Sequence, residues 1–258
     1  MELDRLVEHA LLRELLDRVT PVLSAAVKKS KGRPNRSGKI RFELEWPAHL
    51  LYDRDVFQAA SAVHEALVRV EDARHFLRLM PSAKKFVELK MSEQRWVDYH
   101  FSYNRILLSS VLDLSLLLTN VVLRLGIPER LCTLDNIKNN KYVAKTAVRK
   151  AIDNLEQVIK PHKERRNLFV HRGKRPDPSQ ASGSNSYDML AFIGGANALT
   201  SESLVDPKFI NRAFRVELGL LTSALAKDTR EVMKTAVALF DSLLPLYRGV
   251  IEASGKPT

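Results

Sequence analysis

The sequence predicts an all-α fold: an antiparallel bundle of four to five helices, with an additional N-terminal helical region and room for one short strand. Three observations lead there. Glycine is scarce, 10 of 258 residues, while Leu, Ala, Lys, Arg and Glu are frequent, a composition typical of long helices. Apolar residues recur at three- and four-residue spacing through most of the chain. A single segment alternates apolar and charged residues, and no second such run stands nearby to pair with it.

In order along the chain, Leu3, Leu6, Val7, Ala10, Leu11, Leu15, Val19, Val22, Leu23 and Ala26 mark a first helix over residues 3–29, bent at Pro21. Lys28 to Gly38, with Gly32, Pro34, Asn35 and Ser37, reads as a basic loop. Ile40 to Trp46 is the alternating segment and the candidate strand. A helix from Asp53 or Asp55 to about Met80 turns Val56, Ala59, Ala60, Val63, Leu67, Val70, Phe76 and Leu77 inward, and Pro81 interrupts it. A shorter helix over Ser82–Met91 leads into a long apolar one over Gln94–Leu125, which stops at Gly126-Ile127-Pro128. After Leu131–Asn140, a helix from about Lys141 carries Val143, Ala147, Val148, Ala151, Ile152, Leu155, Val158 and Ile159. Pro161 should kink it or start a new one. Lys174 to Tyr187 is the most loop-like stretch, either a cover for a cleft or a plain connector. Two last helices, about Pro207–Lys227 and Asp228–Val250, complete the core with Phe209, Phe214, Leu218, Leu221, Val232, Val237, Leu239, Phe240, Leu243 and Leu246. Residues 1–92 then form an N-terminal helical extension with its basic loop, and 93–258 a helical bundle.

Several function classes fall away on composition. One cysteine, Cys132, allows neither an internal disulfide nor a multi-cysteine metal site. His64 and His75 stand about three helical turns apart, too far to share a metal ion. Gly194-Gly195 lacks the lysine and serine of a phosphate loop. The apolar stretch Ile106–Leu125 contains Asp113, Asn120 and Arg124, so it reads as a buried core helix and no membrane partner is expected. The charged start, Met1-Glu2-Leu3-Asp4-Arg5, has no secretory pattern, and a reducing cytoplasm is the expected setting. Neither a cofactor nor a metal is expected.

The net charge of +11 is concentrated. Lys28 to Arg41 carries seven basic residues and no acidic one, and Lys160 to Arg175 carries seven against Glu164 alone. Two basic patches are what a protein that holds a polyanion presents. Solvated basic loops would give the same count.

The second patch surrounds Glu164-Arg165-Arg166-Asn167-Leu168-Phe169-Val170-His171-Arg172-Gly173. At about 100° per residue, Asn167 and His171 share a helix face, while Arg166 stands about 140° from His171. The three converge in one of two ways: Gly173 and Pro176 loosen the last turn, or a second copy of the motif faces the first. Histidine can exchange a proton with a ribose 2′-hydroxyl near neutral pH. Arginine offers a permanent planar fork to the phosphate oxygens, and asparagine can orient either. Such residues suit metal-free cleavage of RNA, which carries its own nucleophile. A basic helix end that merely favours the C-terminal dipole would show the same types.

Arg166-Asn167-x-x-x-His171-Arg172-Gly173, closing a long helix of an all-helical chain, resembles the R-x4-6-H signature of the HEPN superfamily in the form with a polar residue after the arginine. Tyr99-His100-Phe101-Ser102-Tyr103-Asn104, opening onto a leucine-rich stretch, resembles the first core helix of such domains. The resemblance covers roughly residues 94–252. It implies a helical bundle that dimerises, bringing two motifs into one cleft, and often a metal-independent ribonuclease of toxin–antitoxin or phage-defence systems. Carried over by position, Arg166 binds phosphate, Asn167 assists and His171 is catalytic, with Arg165 also fitting the spacing. Arg165, Arg172, Lys174 and Lys163 are the expected substrate-binding residues. Gly173 stands where one subfamily has a tyrosine that a partner nucleotidyltransferase modifies, so that control is not expected. The partners implied are RNA, a second copy of the chain, and a cognate antitoxin or regulatory protein. The alternative is a non-catalytic module that binds nucleic acid or nucleotides through the same patch.

Overall fold

The structure, a computed structural model, describes residues 6, 8–30, 46–172 and 206–254. The chain is all-α: seven α-helices and two short 3-10 turns, with no strand among the described residues. We number them α1 (Ala10–Ser30), α2 (Leu51–Arg78), α3 (Ala83–Glu88), α4 (Glu93–Val122), α5 (Leu134–Lys138), α6 (Ala147–Arg172) and α7 (Pro207–Ser254). The candidate strand lies outside the described residues except for Trp46. The basic loop keeps only Lys28–Ser30, as the end of α1, and the loop Lys174–Tyr187 is likewise outside.

The helix starts follow local chemistry. The hydroxyls of Ser82, Ser92 and Thr133 accept from the backbone N–H three residues on, at 3.3, 3.1 and 3.3 Å, and so cap α3, α4 and α5. Asp206 caps α7 at 2.8 Å to the Lys208 N–H, and the His9 ring caps α1 at 3.1 Å to the Leu11 N–H. The end of α4 differs from expectation. The left-handed residue that turns the chain away is Arg124, at φ 47°, two residues before Gly126 at φ 68°. A β-carbon is strained there. The Arg124 guanidinium lies 4.3 Å from the Tyr52 ring centre, a cation–π contact that helps offset the strain.

Three further boundaries depart from the sequence reading. α6 begins at Ala147, not near Lys141, because Asn140 organises the preceding residues into turns: its side chain accepts from Tyr142 and its carbonyl from Val143 and Ala144. No new helix starts at Pro161: α6 is one helix through that residue, as α1 is through Pro21. The last two predicted helices are one, of 48 residues; Asp228, which resembled a helix start, lies in its interior.

The chain divides into two compact units, and the divisions fall inside helices. One comprises Met1–Glu65, Leu112–Leu155 and Lys234–Thr258, the other Ala66–Val111 and Glu156–Met233. The first buries Leu11, Leu15 and Val19 of α1 with Val56, Ala60, Leu116, Ile152, Phe240 and Leu243. A polar network runs through it. Asp53, fully buried, accepts from the Tyr247 hydroxyl at 2.6 Å and pairs with Arg18 at 2.9 Å. Burial and then Asp53 push the Tyr247 hydroxyl well above its ordinary pKa, and burial pushes Tyr52 up to about 12.

The second unit is built on Leu77, Val97, Phe101, Leu221 and Leu225, with Met80, Phe214 and Leu218 against them. Here α2 and α4 run antiparallel: Asn104 donates to the Val70 carbonyl at 3.1 Å and Trp96 to that of Phe76 at 3.1 Å. Phe76 was expected inside but is 47% exposed, resting its ring on His100. α4 contains an 18-residue window of mean hydropathy 1.6, of which 61% is buried in the protein, in keeping with a core helix.

Candidate active site

The motif sits at the C-terminal end of α6, on the second unit. The buried stripe of this helix runs Val148, Ile152, Leu155 and Ile159, all fully buried. The next positions at the same spacing are polar: His162 and then Arg166. His162 is 4% exposed. It is a buried partner of an arginine. Its Nδ1 lies 2.6 Å from Nη1 of Arg105 on α4, and the same Nη1 donates to Asp228 Oδ2 on α7 at 2.7 Å. A guanidinium only donates, so Nδ1 accepts and the imidazole is neutral with its proton on Nε2. Burial and then the Arg105 charge push the His162 pKa down to about 4, against the pull of Asp228.

Arg105 is itself 3% exposed, with its guanidinium carbon 5.1 Å from the Phe101 ring centre. Its Nε and Nη2 are buried without a hydrogen-bond partner among the described residues. Burial lowers its pKa, Asp228 raises it, and the nearby charge of Arg165 lowers it further. Arg165 acts on His162 in the same sense. Three helices of this unit thus meet at one buried cation, one turn before the motif.

Arg165 and Asn167 are exposed, and Arg166 and Lys163 are half-buried. Arg166 donates from Nε and Nη2 to Asn167 Oδ1, at 3.2 and 3.0 Å. One edge of its fork is held by its neighbour, and among the described residues Nη1 has no acceptor. The backbone of His171 and Arg172 belongs to α6, but their side chains, and all of Lys174, lie outside the described residues. Because α6 remains helical to Arg172, position 171 stands about 40° around the axis from position 167 and about 140° from position 166. Of the two routes to convergence, the loosened last turn is therefore not the one this backbone takes.

More positive charge lies on the same unit. Lys208, Arg212 and Arg215, exposed at helical spacing on the first turns of α7, line a groove of about 430 Å³ with Asn211 and Val216. A groove of about 830 Å³ on the other unit, lined by Tyr52, Asp55, Asn120, Arg124 and Glu129 among others, contains no motif residue. Among the described residues no three His, Cys, Asp or Glu side chains are grouped to hold a metal ion.

Sequence reasoning missed Arg105 and Asp228. The signal for Arg105 was present: it falls four residues after Phe101 and three before Leu108, on the buried stripe of an apolar helix, where a charge requires a partner. Asp228 was hidden by its likeness to a helix cap. Compared with models of known families, with curated proteins and with solved structures, the chain matches none.

Proposed function

We propose that the chain is a metal-independent endoribonuclease of the HEPN type, acting as a homodimer on RNA in a reducing cytoplasm. His171 takes the proton of a ribose 2′-hydroxyl as that oxygen attacks the adjacent phosphorus. The 5′-oxygen of the next nucleotide leaves and takes a proton from the second chain's histidine. The products are a 2′,3′-cyclic phosphate and a 5′-hydroxyl. Arg166 stabilises the charge that builds on the non-bridging oxygens, and Asn167 holds it in place. Arg165, Lys163, Arg172 and Lys174 draw in the flanking phosphates. An adjacent antitoxin or regulatory protein would restrain such an activity.

The observation that carries this reading is the Arg166–Asn167 pair. An arginine fork tethered along one edge, at an accessible helix end and one turn before position 171, is a preorganised phosphate site and not a freely solvated charge. The second reading, binding without cleavage, is favoured by the Lys208, Arg212 and Arg215 groove, which needs no histidine to hold a phosphate backbone.

End-labelled RNA incubated with the protein in excess EDTA separates the two. Cleavage that persists under chelation, leaves a cyclic phosphate, and disappears in His171→Ala and in Arg166→Ala supports the nuclease. Intact RNA that is nevertheless retained, with retention falling steeply as salt rises, moves the assignment to the binding module.

A further inference from the structure

α4 carries an aromatic face that plays no part in the hydrophobic core. Tyr99 is 65% exposed and Tyr103, one turn on, is half-buried. Their rings are nearly parallel, 12° apart, with centroids separated by 6.4 Å. Successive stacked bases rise about 3.4 Å, so a flat ring inserted between two others needs about twice that. The observed spacing falls just short of it.

Tyr99 is also braced from below. Tyr99 stands edge-on to His100 at 5.3 Å. His100 is in turn stacked on Phe76 at 5.3 Å and packed at 4.4 Å against Trp96, whose indole N–H donates to the Phe76 carbonyl. Burial lowers the His100 pKa, so this support is an uncharged ring at neutral pH. The contact restrains Tyr99, and a restrained ring has less freedom to lose on binding. Arg95, exposed and one turn before Tyr99, supplies a cation for an adjoining phosphate.

We propose that Tyr99 and Tyr103 form a clamp that takes one unpaired nucleobase of single-stranded RNA between their rings, with Arg95 on the flanking phosphate. This rests on the reading of the chain as an RNA-acting protein and adds how the strand is held. Every base has a stacking face, so the clamp is tolerant of sequence. It rejects duplex, whose bases are already stacked. Tyr103 lies about 200° around α4 from Arg105, so the clamp and the buried support of the motif use different faces of that helix. Losing the clamp therefore raises KM and leaves kcat unchanged.

The test uses the full chain with His171→Ala, in EDTA at fixed salt, and a fluorescein-labelled oligo-uridylate read by anisotropy. Adding Tyr99→Ala and Tyr103→Ala should weaken binding about 10-fold or more. Tyr99→Phe with Tyr103→Phe keeps the stacking faces and should bind within about twofold of the parent. An abasic strand of the same length should bind the parent no better than the oligo-uridylate binds the alanine pair. The proposal is overturned if the alanine pair, shown to be folded by circular dichroism, binds like its parent, or if the abasic strand binds as tightly as the normal one. Should the otherwise wild-type chain still cleave RNA in that case, the nuclease stands and only the clamp fails. Absence of RNA binding by every variant overturns both.

Discussion

Asp228→Ala should be among the most destabilising exposed-side substitutions in the chain, and a second substitution should partly repair it. Arg105 is 3% exposed and has Asp228 as its counter-ion at 2.7 Å. Removing one partner of a buried pair leaves the other charge uncompensated, at about 3–5 kcal/mol. Asp228 is 30% exposed, so water reaches one side, and the lower end, about 3 kcal/mol, is expected for Asp228→Ala. Arg105→Met removes the buried charge and keeps most of the stem's volume. What it leaves is a His162 Nδ1 without its donor, at about 1–3 kcal/mol. The double variant should therefore be more stable than Asp228→Ala alone, a coupling of opposite sign to simple addition. A chain of two units need not unfold in one step, so the assay is urea denaturation followed by Trp96, which lies in the same unit, in a Trp46→Phe background. If the two losses add, Arg105 is not held by Asp228 and the brace under the motif does not exist.

His162 titrates at about 6.5 unfolded and about 4 folded, so the unfolded chain binds more protons between those values. Its contribution is complete above pH about 6.5 and is lost as the pH falls towards 4, in total on the order of 3 kcal/mol. His162→Gln should flatten that acid limb relative to wild type, and identical limbs would refute it; His64 and His100, also lowered by burial, are common to both proteins and cancel. Asn167→Ala frees the Arg166 fork, and single-turnover cleavage should slow about 10- to 100-fold with little change in KM; a change confined to KM would assign Asn167 to binding. Tyr247→Phe leaves Asp53 with one hydrogen-bonded partner fewer, and urea denaturation read by Trp46 should show a loss of about 1–3 kcal/mol. No loss would mean that Arg18 alone satisfies that carboxylate.

How far the sequence carried depended on whether a signal was local. The helical character of α2, α4 and the stripe of α6 lay in the three- and four-residue spacing of Val56 to Leu77, Phe101 to Leu112 and Val148 to Ile159, and the structure buries most of those side chains. Residues 141–146 failed because Val143 and Ala147 fit a helical spacing while Asn140, competing for the backbone, ties the chain into turns. Asp228 failed for a related reason. A carboxylate followed by Thr, Arg and Glu looks like a cap, and only Arg105, more than a hundred residues away in sequence, accounts for it as an interior residue of α7. Of the site, the motif's residue types were legible, as was the basic surface around Arg165 and Arg166. The tether between Arg166 and Asn167 was not, because neighbouring positions on a helix do not ordinarily face each other.

The unbroken course of α6 makes the dimer testable without any measurement of mass. With positions 166 and 171 about 140° apart on one helix, the proposed nuclease would take the arginine and the histidine of its active centre from different chains. Arg166→Ala and His171→Ala should each be inactive alone. Mixed in equal amounts and refolded together, half of the dimers pair one of each, and the cleft of every such dimer holds one Arg166 and one His171 from different chains, without the second histidine that protonates the leaving oxygen. The mixture should then cleave RNA faster than either component yet well below about a quarter of the wild-type rate, because each mixed cleft has its base and its arginine but not its acid. If each chain instead used its own arginine with its own histidine, no combination would restore a site. A mixture as silent as its components would thus return the argument to a turn that opens on binding RNA, and the continuity of α6 through Pro161 to Arg172 would describe only the unbound chain.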